Sequence, residues 1–266
     1  RRVRQYRQML IDLHLHTNRY SACATSSPEE VLAAARACGL DGVVLTEHHR
    51  VWPEGEIREL RAAFPELRIF RAVEITTVEG EDVLVYLPDI ADLPTERSSV
   101  GELIGQVRRS GGAAILAHPL RYRDTIAETL YANPPDACEA WSLNIFSYQR
   151  PGIHAFSERT GCGEVAATDS HAASGIGLYA VRFSSAIGDE ADLVAALRAR
   201  DYTPMQDLRR LQEMDAALSR RAVLARQGIA EGLDTPAIRA RIGGSLSFID
   251  HLRAGLPAQV FQHVPG

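Results

Sequence analysis

Short apolar runs alternate with stretches of helical periodicity over about the first 200 residues, the sequence form of repeated βα units around a parallel sheet. The runs at residues 9–14, 43–45, 68–75, 83–86, 113–116, 140–143 and 164–167 read as strands. Between them, Ser27 followed by Pro28 opens a helix that Gly39 ends, since a hydroxyl cap, an initial proline and a terminal glycine each suit those positions. Further helices are predicted near residues 54–63, 99–110 and 152–160, the second of them opened by a capping box of Ser99 and Glu102. After about Pro204 apolar residues recur at helical spacing with many arginines and no further strand pattern. We therefore expect an α/β domain over residues 1–204 and a helical C-terminal extension over residues 205–266. The extension could pack on the domain, cover the mouth of its site or form a homo-oligomer contact.

The chemistry-bearing residues fall at the ends of these strands. Asp12-Leu13-His14-Leu15-His16 closes the first, and because side chains alternate faces along a strand, His14 and His16 point the same way and can chelate one ion. Glu47-His48-His49 follows the second strand and Glu74 ends the third run. His118-Pro119 follows residues 113–116, and Asp169-Ser170-His171 follows residues 164–167. In a parallel barrel the carboxyl ends of all strands converge on one rim, where such barrels carry their active sites. Five strand ends presenting His, Glu or Asp by chance is improbable, because these side chains are costly to place near a core.

These motifs, Asp12-Leu13-His14-Leu15-His16-Thr17, Leu45-Thr46-Glu47-His48, Val73-Glu74-Ile75-Thr76-Thr77, Ala117-His118-Pro119 and Thr168-Asp169-Ser170-His171, occur in order. Over residues 11–204 the chain resembles the polymerase and histidinol phosphatase (PHP) superfamily of metal-dependent phosphoesterases. The resemblance implies a distorted (β/α)7 barrel with two or three divalent ions, manganese, iron or zinc. It implies that His14, His16, Glu74 and Asp169 surround a first ion, that Glu74 bridges to a second held also by His118, and that His48 and His171 hold a third. It assigns catalysis to Glu74, His118, Asp169 and His171.

Two positions depart from the family pattern. Ser21-Ala22-Cys23-Ala24 stands where relatives often carry an Asp or His ligand, so Cys23 is the candidate substitute, although a small Cys is also a common packing residue. Asp82, or Glu81 beside it, stands near the place of a ligand histidine, and a carboxylate there favours a harder ion. Glu47 takes the place of a usual Asp and is expected to orient a neighbouring ligand. Asn144 resembles an Asn common near this rim, structural or in contact with substrate. For the substrate phosphate the candidates are Arg19, Arg121 and Arg123, since guanidinium forks match phosphate oxygens.

Composition narrows the functions. A net charge of −5 argues against a general nucleic-acid surface, which needs clustered basic residues. A small phosphorylated metabolite remains open as the partner. No apolar run reaches the roughly 20 residues that cross a bilayer, and the Arg-rich opening leads straight into a strand, so the expectation is a cytoplasmic protein without membrane contact. Cys23, Cys38, Cys138 and Cys162 form no CxxC pair, so neither a disulfide framework nor a zinc knuckle is indicated. The chain has no lysine, all 29 basic side chains being arginine, so it cannot bridge two metals with a carboxylated Lys as many binuclear amidohydrolases do. The expected function is hydrolysis of a small phosphate monoester or cyclic phosphate. The alternatives are an amidohydrolase-type metal hydrolase, and a degraded PHP domain that only binds or regulates.

Overall fold

The computed structural model describes residues 8–89, 98–243 and 246–264, so the Arg-rich opening lies outside the described residues. In chain order the elements are β1 (Met9–Leu15), α1 (Pro28–Ala37), β2 (Gly42–Leu45), α2 (Glu54–Ala63), β3 (Arg68–Arg71), β4 (Val73–Thr76) and β5 (Asp82–Tyr86). Then come α3 (Val100–Arg109), β6 (Ala113–Leu116), α4 (Glu128–Ala132), β7 (Ala137–Trp141), α5 (Arg150–Thr160) and β8 (Gly163–Ala166). The chain continues through β9 (Tyr179–Phe183), α6 (Glu190–Ala199), β10 (Tyr202–Gln206), α7 (Leu208–Ala230), α8 (Thr235–Ile242) and α9 (Leu246–Arg253). The capping box expected from sequence, Ser99 with Glu102, is present, and the expected N-cap Ser27 forms a second one with Glu30.

The fold is α/β, but the strands do not close into one hydrogen-bonded ring. They form two five-stranded sheets, in the orders β10-β9-β1-β2-β3 and β4-β5-β6-β7-β8. The pairs β1–β2, β2–β3, β6–β7 and β7–β8 are parallel, whereas β4–β5, β5–β6, β1–β9 and β9–β10 are antiparallel. The run at residues 68–75 is split at Ala72, whose N–H donates to Leu45 O and turns the chain from one sheet into the other. At the carboxyl ends two isolated parallel bridges, Leu15 with Ser170 and His48 with Glu74, tie the sheets together. The sequence reading also lacked β9 and β10. Pro204 lies within β10, an edge strand, where its missing N–H is tolerated.

The inner strands β1, β2, β6 and β7 are buried on both faces, which is why they read as largely unbroken apolar runs. Ile11, Leu13, Val44, Phe70, Leu84, Tyr86, Ile115 and Val165 share one inner cluster drawn from both sheets. Their alternating neighbours face outward: Leu15, Val43 and Leu45 pack under α1 and α2 with Val31, Leu32 and Ile57. Val85, Leu116 and Cys138 pack under α3 and α5 with Leu103, Ile104, Ile153 and Phe156. Among the described residues no helix is long and apolar enough to cross a membrane.

The chain divides into two compact units, Arg1–Ile145 with Arg150–Gln206, and Phe146–Gln149 with Asp207–Gly266. In the smaller unit α7, α8 and α9 bury Ala222, Ala225, Ile238, Phe248, Ile249 and Leu252 against one another. The carboxylate of Asp215 accepts hydrogen bonds from the backbone N–H groups of His263 and Val264, fastening the end of the described chain to α7.

Phe156 on α5 is fully buried and meets the Tyr131 ring edge to face at 5.1 Å. Phe156→Ala removes a large core side chain without a replacement, so urea denaturation should show a loss of about 3–5 kcal/mol.

Candidate metal centre

The rim where the two bridges join the sheets gathers most of the residues singled out in the sequence. Nε2 of His14 and Nε2 of His16 lie 2.9 Å apart. Glu74 Oε2 is 3.5 Å and 3.3 Å from these two nitrogens, and Asp169 Oδ1 is 3.3 Å and 3.2 Å from them. The other oxygen of each carboxylate turns elsewhere. Glu74 Oε1 is 3.0 Å from His118 Nε2, which also faces Asp82 Oδ2 at 3.8 Å and Asp169 Oδ2 at 3.6 Å. The His16 ring stacks on His48 at 4.3 Å between centroids and lies 4.4 Å from His171. Three groups of donor atoms result, each with its atoms within 4.8 Å of one another: His14, His16 and Asp169; Glu74, Asp82 and His118; His16, His48 and His171.

The tautomers settle what these groups can accept. His14 Nδ1 lies 2.8 Å from Glu139 Oε1, and an ionised carboxylate only accepts, so Nδ1 carries the proton of the neutral ring and Nε2 keeps its lone pair. Ser21 Oγ donates to Glu47 and faces His16 Nδ1 at 3.3 Å, so that nitrogen is the donor and His16 Nε2 is likewise a lone pair. In the neutral rings, the form that a metal ion binds, two lone pairs therefore converge on Glu74 Oε2 and Asp169 Oδ1, both buried oxygens without a hydrogen-bond partner. His48 Nδ1 stands 2.8 Å from Glu74 Oε2 yet lacks hydrogen-bond geometry to it. Converging acceptors repel, and a cation among them removes the repulsion. Imidazole nitrogens with carboxylate oxygens suit zinc, iron or manganese.

The outer layer holds the donors in place. Glu139 joins two sites, because Oε1 holds His14 and Oε2 accepts the His118 N–H at 2.8 Å. Glu47 accepts from the Thr17 and Ser21 hydroxyls and from Trp52 Nε1. Buried Asp12 accepts from the Thr168 hydroxyl at 2.6 Å and from the Thr168 and His14 N–H groups. Burial outweighs those hydrogen bonds and raises the Asp12 pKa to about 7. His118 and Asp169 adopt φ of 27° and 48°, in the left-handed region that costs a non-glycine residue roughly 1–3 kcal/mol. They are held there by hydrogen bonds from their N–H groups to Glu139 Oε2 and to His14 O.

Charge sets the protonation. Burial works to lower the His14 pKa, and the charges of Asp169, Glu139 and Glu74 overcome it, holding it well above the usual imidazole value. His16 and His118 are raised in the same manner. His171 goes the other way: burial, then repulsion from His16, lowers it to about 4. At neutral pH it is uncharged, with Nδ1 3.1 Å from Asp169 O and Nε2 left as acceptor.

Several candidates lie elsewhere. Cys23 is exposed and belongs to none of the three donor groups. Glu81 faces Arg123 at 2.9 Å, and Arg123 also donates to Glu79 O, so the pair forms a latch of its own. Arg19 pairs with Glu56 at 3.0 Å beside a cavity of about 540 Å³ between α1 and α2. Of the three arginines only Arg121 reaches the donor groups, with Nη1 3.3 Å from Asp169 Oδ2, the oxygen that also accepts from Asn144 Nδ2. The sequence reading passed over Glu139 and Asp12 as site residues. The available signal was a charged residue within an otherwise apolar run, as in Ala-Cys-Glu-Ala-Trp of β7.

A family model described as PHP-associated matches residues 153–202, from α5 into β10. Two solved structures share the fold. One is PsfC from Pseudomonas syringae PB-5123, 15% identical with a TM-score of 0.57, covering 75% of this chain and 91% of that one. The other is a two-domain protein from Bacteroides vulgatus ATCC 8482 described as containing a predicted PHP-like metal-dependent phosphoesterase. It is 16% identical with a TM-score of 0.58, and the match covers 76% of this chain and 66% of that protein's length. No curated protein sequence matches the chain. In its fold, and over residues 153–202 in its sequence, this chain is thus similar to proteins of the PHP type.

Glu139→Gln leaves His14 without the carboxylate that fixes its tautomer, so zinc affinity measured by competition with a chromogenic chelator should fall about 10–100-fold. A second expectation concerns pH. Ligation requires the unprotonated rings, and the metal-free pKa values of His14, His16 and His118 are raised. Zinc binding should therefore release protons at neutral pH and weaken steadily as pH falls, with the loss starting above the usual imidazole range. Calorimetry in two buffers of different ionisation enthalpy measures that release, and a pH-independent affinity with no proton release would contradict the assignment.

Proposed function

We propose that this chain is a metal-dependent phosphoesterase that hydrolyses a small phosphate monoester or cyclic phosphate with metal-activated water. The observation that carries the reading is the convergence of His14 and His16 Nε2 on the two unpartnered buried oxygens Glu74 Oε2 and Asp169 Oδ1. In this reading His14, His16 and Asp169 hold one divalent ion, and Glu74, Asp82 and His118 hold another. His16, His48 and His171 offer a third place. Glu74 would reach both ions, since its two oxygens face different groups. We read the two sheets, bridged at this rim, as an opened form of the family's distorted seven-stranded barrel.

When bound, a pair of divalent ions would supply a water acidified toward neutrality and positive charge for the phosphoryl oxygens. The chain's own groups do the rest. Arg121, half-buried beside Asp169, offers guanidinium donors at the rim to a phosphate. Asn144 and Arg121 together fix Asp169 Oδ2, leaving Oδ1 free. Neutral His171 holds its proton on Nδ1 toward Asp169 O, so that Nε2 can ligate or take a proton. Glu47 keeps His16 in register through Ser21, and Glu139 does the same for His14.

Protein loaded with manganese, iron or zinc should release phosphate from a generic aryl phosphate. His14→Ala and Glu74→Ala should each lower kcat at least about a hundredfold, and Arg121→Ala should act mainly through KM. Equal rates in parent and Glu74→Ala would remove the proposal. Turnover of an amide or lactam panel without phosphate release would move it to amidohydrolase chemistry.

A further inference from the structure

Cys138 and Cys162 are far apart in sequence and form no motif, yet their sulfurs lie 3.8 Å apart. Cys138 is fully buried in β7, and Cys162, 5% exposed, sits in the turn between α5 and β8. Both pack in the cluster beneath α5 with Ile153 and Phe156. We propose that this thiol pair is a modification site, closing reversibly into an intramolecular disulfide when the protein meets a hydroperoxide.

The two sulfurs are not equivalent. Cys162 follows the turn that ends α5, where Gly161 adopts a φ of 69° that glycine takes without strain and Arg200 donates to its carbonyl. The hydrogen bond with Cys138, opposed by burial and helped by Thr160, Ser157 and the Arg200 charge, lowers the Cys162 pKa. Cys138 is raised, by that hydrogen bond and by burial. Cys162 is thus the thiolate-forming partner and the one nearer solvent, which is what an attacking thiol needs.

The Cys162 thiolate attacks the peroxide, so an S–O bond forms, the O–O bond breaks and the departing oxygen leaves as water or alcohol. Cys138 sulfur then displaces that S–O bond, its proton leaves with the oxygen as water, and an S–S bond forms. Two thiols are oxidised and one peroxide is reduced. Closing from 3.8 Å to a bond of about 2.05 Å asks for a shift that falls to the Cys162 side, because β7 is held between β6 and β8. The crosslink falls one residue from Glu139, whose carboxylate orients His14.

The test is peptide mapping of the intact chain after treatment with hydrogen peroxide and alkylation of the remaining thiols without reductant. The expected product is one crosslinked peptide joining Cys138 to Cys162, lighter by two hydrogens, restored by dithiothreitol and formed at the same fraction at low and high protein concentration. In Cys138→Ala the crosslink should vanish and Cys162 should be trapped by dimedone as a sulfenic acid. Oxidation of exposed Cys23 and Cys38 with Cys138 and Cys162 recovered as thiols would overturn the proposal. So would Cys162 in the parent going to sulfinic acid without a crosslink.

Discussion

Four acceptors, Nε2 of His14 and His16, Glu74 Oε2 and Asp169 Oδ1, point into one small volume away from water, and much of the structure answers the electrostatic problem they create. Moving a carboxylate from water into a protein interior costs several kcal/mol unless it is paired. Around these atoms stand further buried or half-buried carboxylates, Asp12, Glu47, Asp82 and Glu139, and among the described groups only Arg121 brings a permanent positive charge to the donor atoms. In the metal-free chain protons on the histidines offset part of this charge, which is why their pKa values rise. Divalent ions do the same work at fixed geometry, so the raised imidazole values and the metal preference have one cause.

Placing those acceptors together requires strand ends from both sheets to meet. The parallel bridges Leu15–Ser170 and His48–Glu74 make that junction, and each involves a ligand candidate or its direct neighbour. The backbone is bent hardest at the same place. His118 and Asp169 sit in left-handed conformations stabilised by Glu139 and by the backbone of His14, so the hydrogen bonds that aim the side chains also hold the strained main chain. A change at Glu139 therefore reaches both His14 and His118 directly, and its distance from any reacting atom understates its influence.

What could be read from the chain alone follows from where the physics is local. Side chains at strand ends obey a period of two, so His14 and His16 on one face, with Glu74, His118 and Asp169 closing their runs, were visible in one dimension. Sheet closure was not, because the change of partner at Ala72, from β2 before it to β5 after it, depends on residues of other strands. β9 and β10 escaped for a related reason: Pro204 argues against a strand unless its position at an edge is known. Arg19 and Arg123 carried the right chemistry for phosphate but long side chains choose among distant partners, and theirs are Glu56, Glu79 and Glu81. Cys138 and Cys162 show the same limit, since nothing local to either residue announces the other.

The absence of lysine gains weight once the geometry is known. A binuclear site needs an anion that can reach two ions, and without lysine this chain must take it from an ordinary carboxylate. Glu74 is placed for that role, with Oε2 beside His14 and His16 and Oε1 beside His118. Asp169 is turned in a similar way, but its Oδ2 is already engaged by Arg121 and Asn144. One carboxylate thus faces two donor groups with separate oxygens, while the other is held at one oxygen by a guanidinium and an amide.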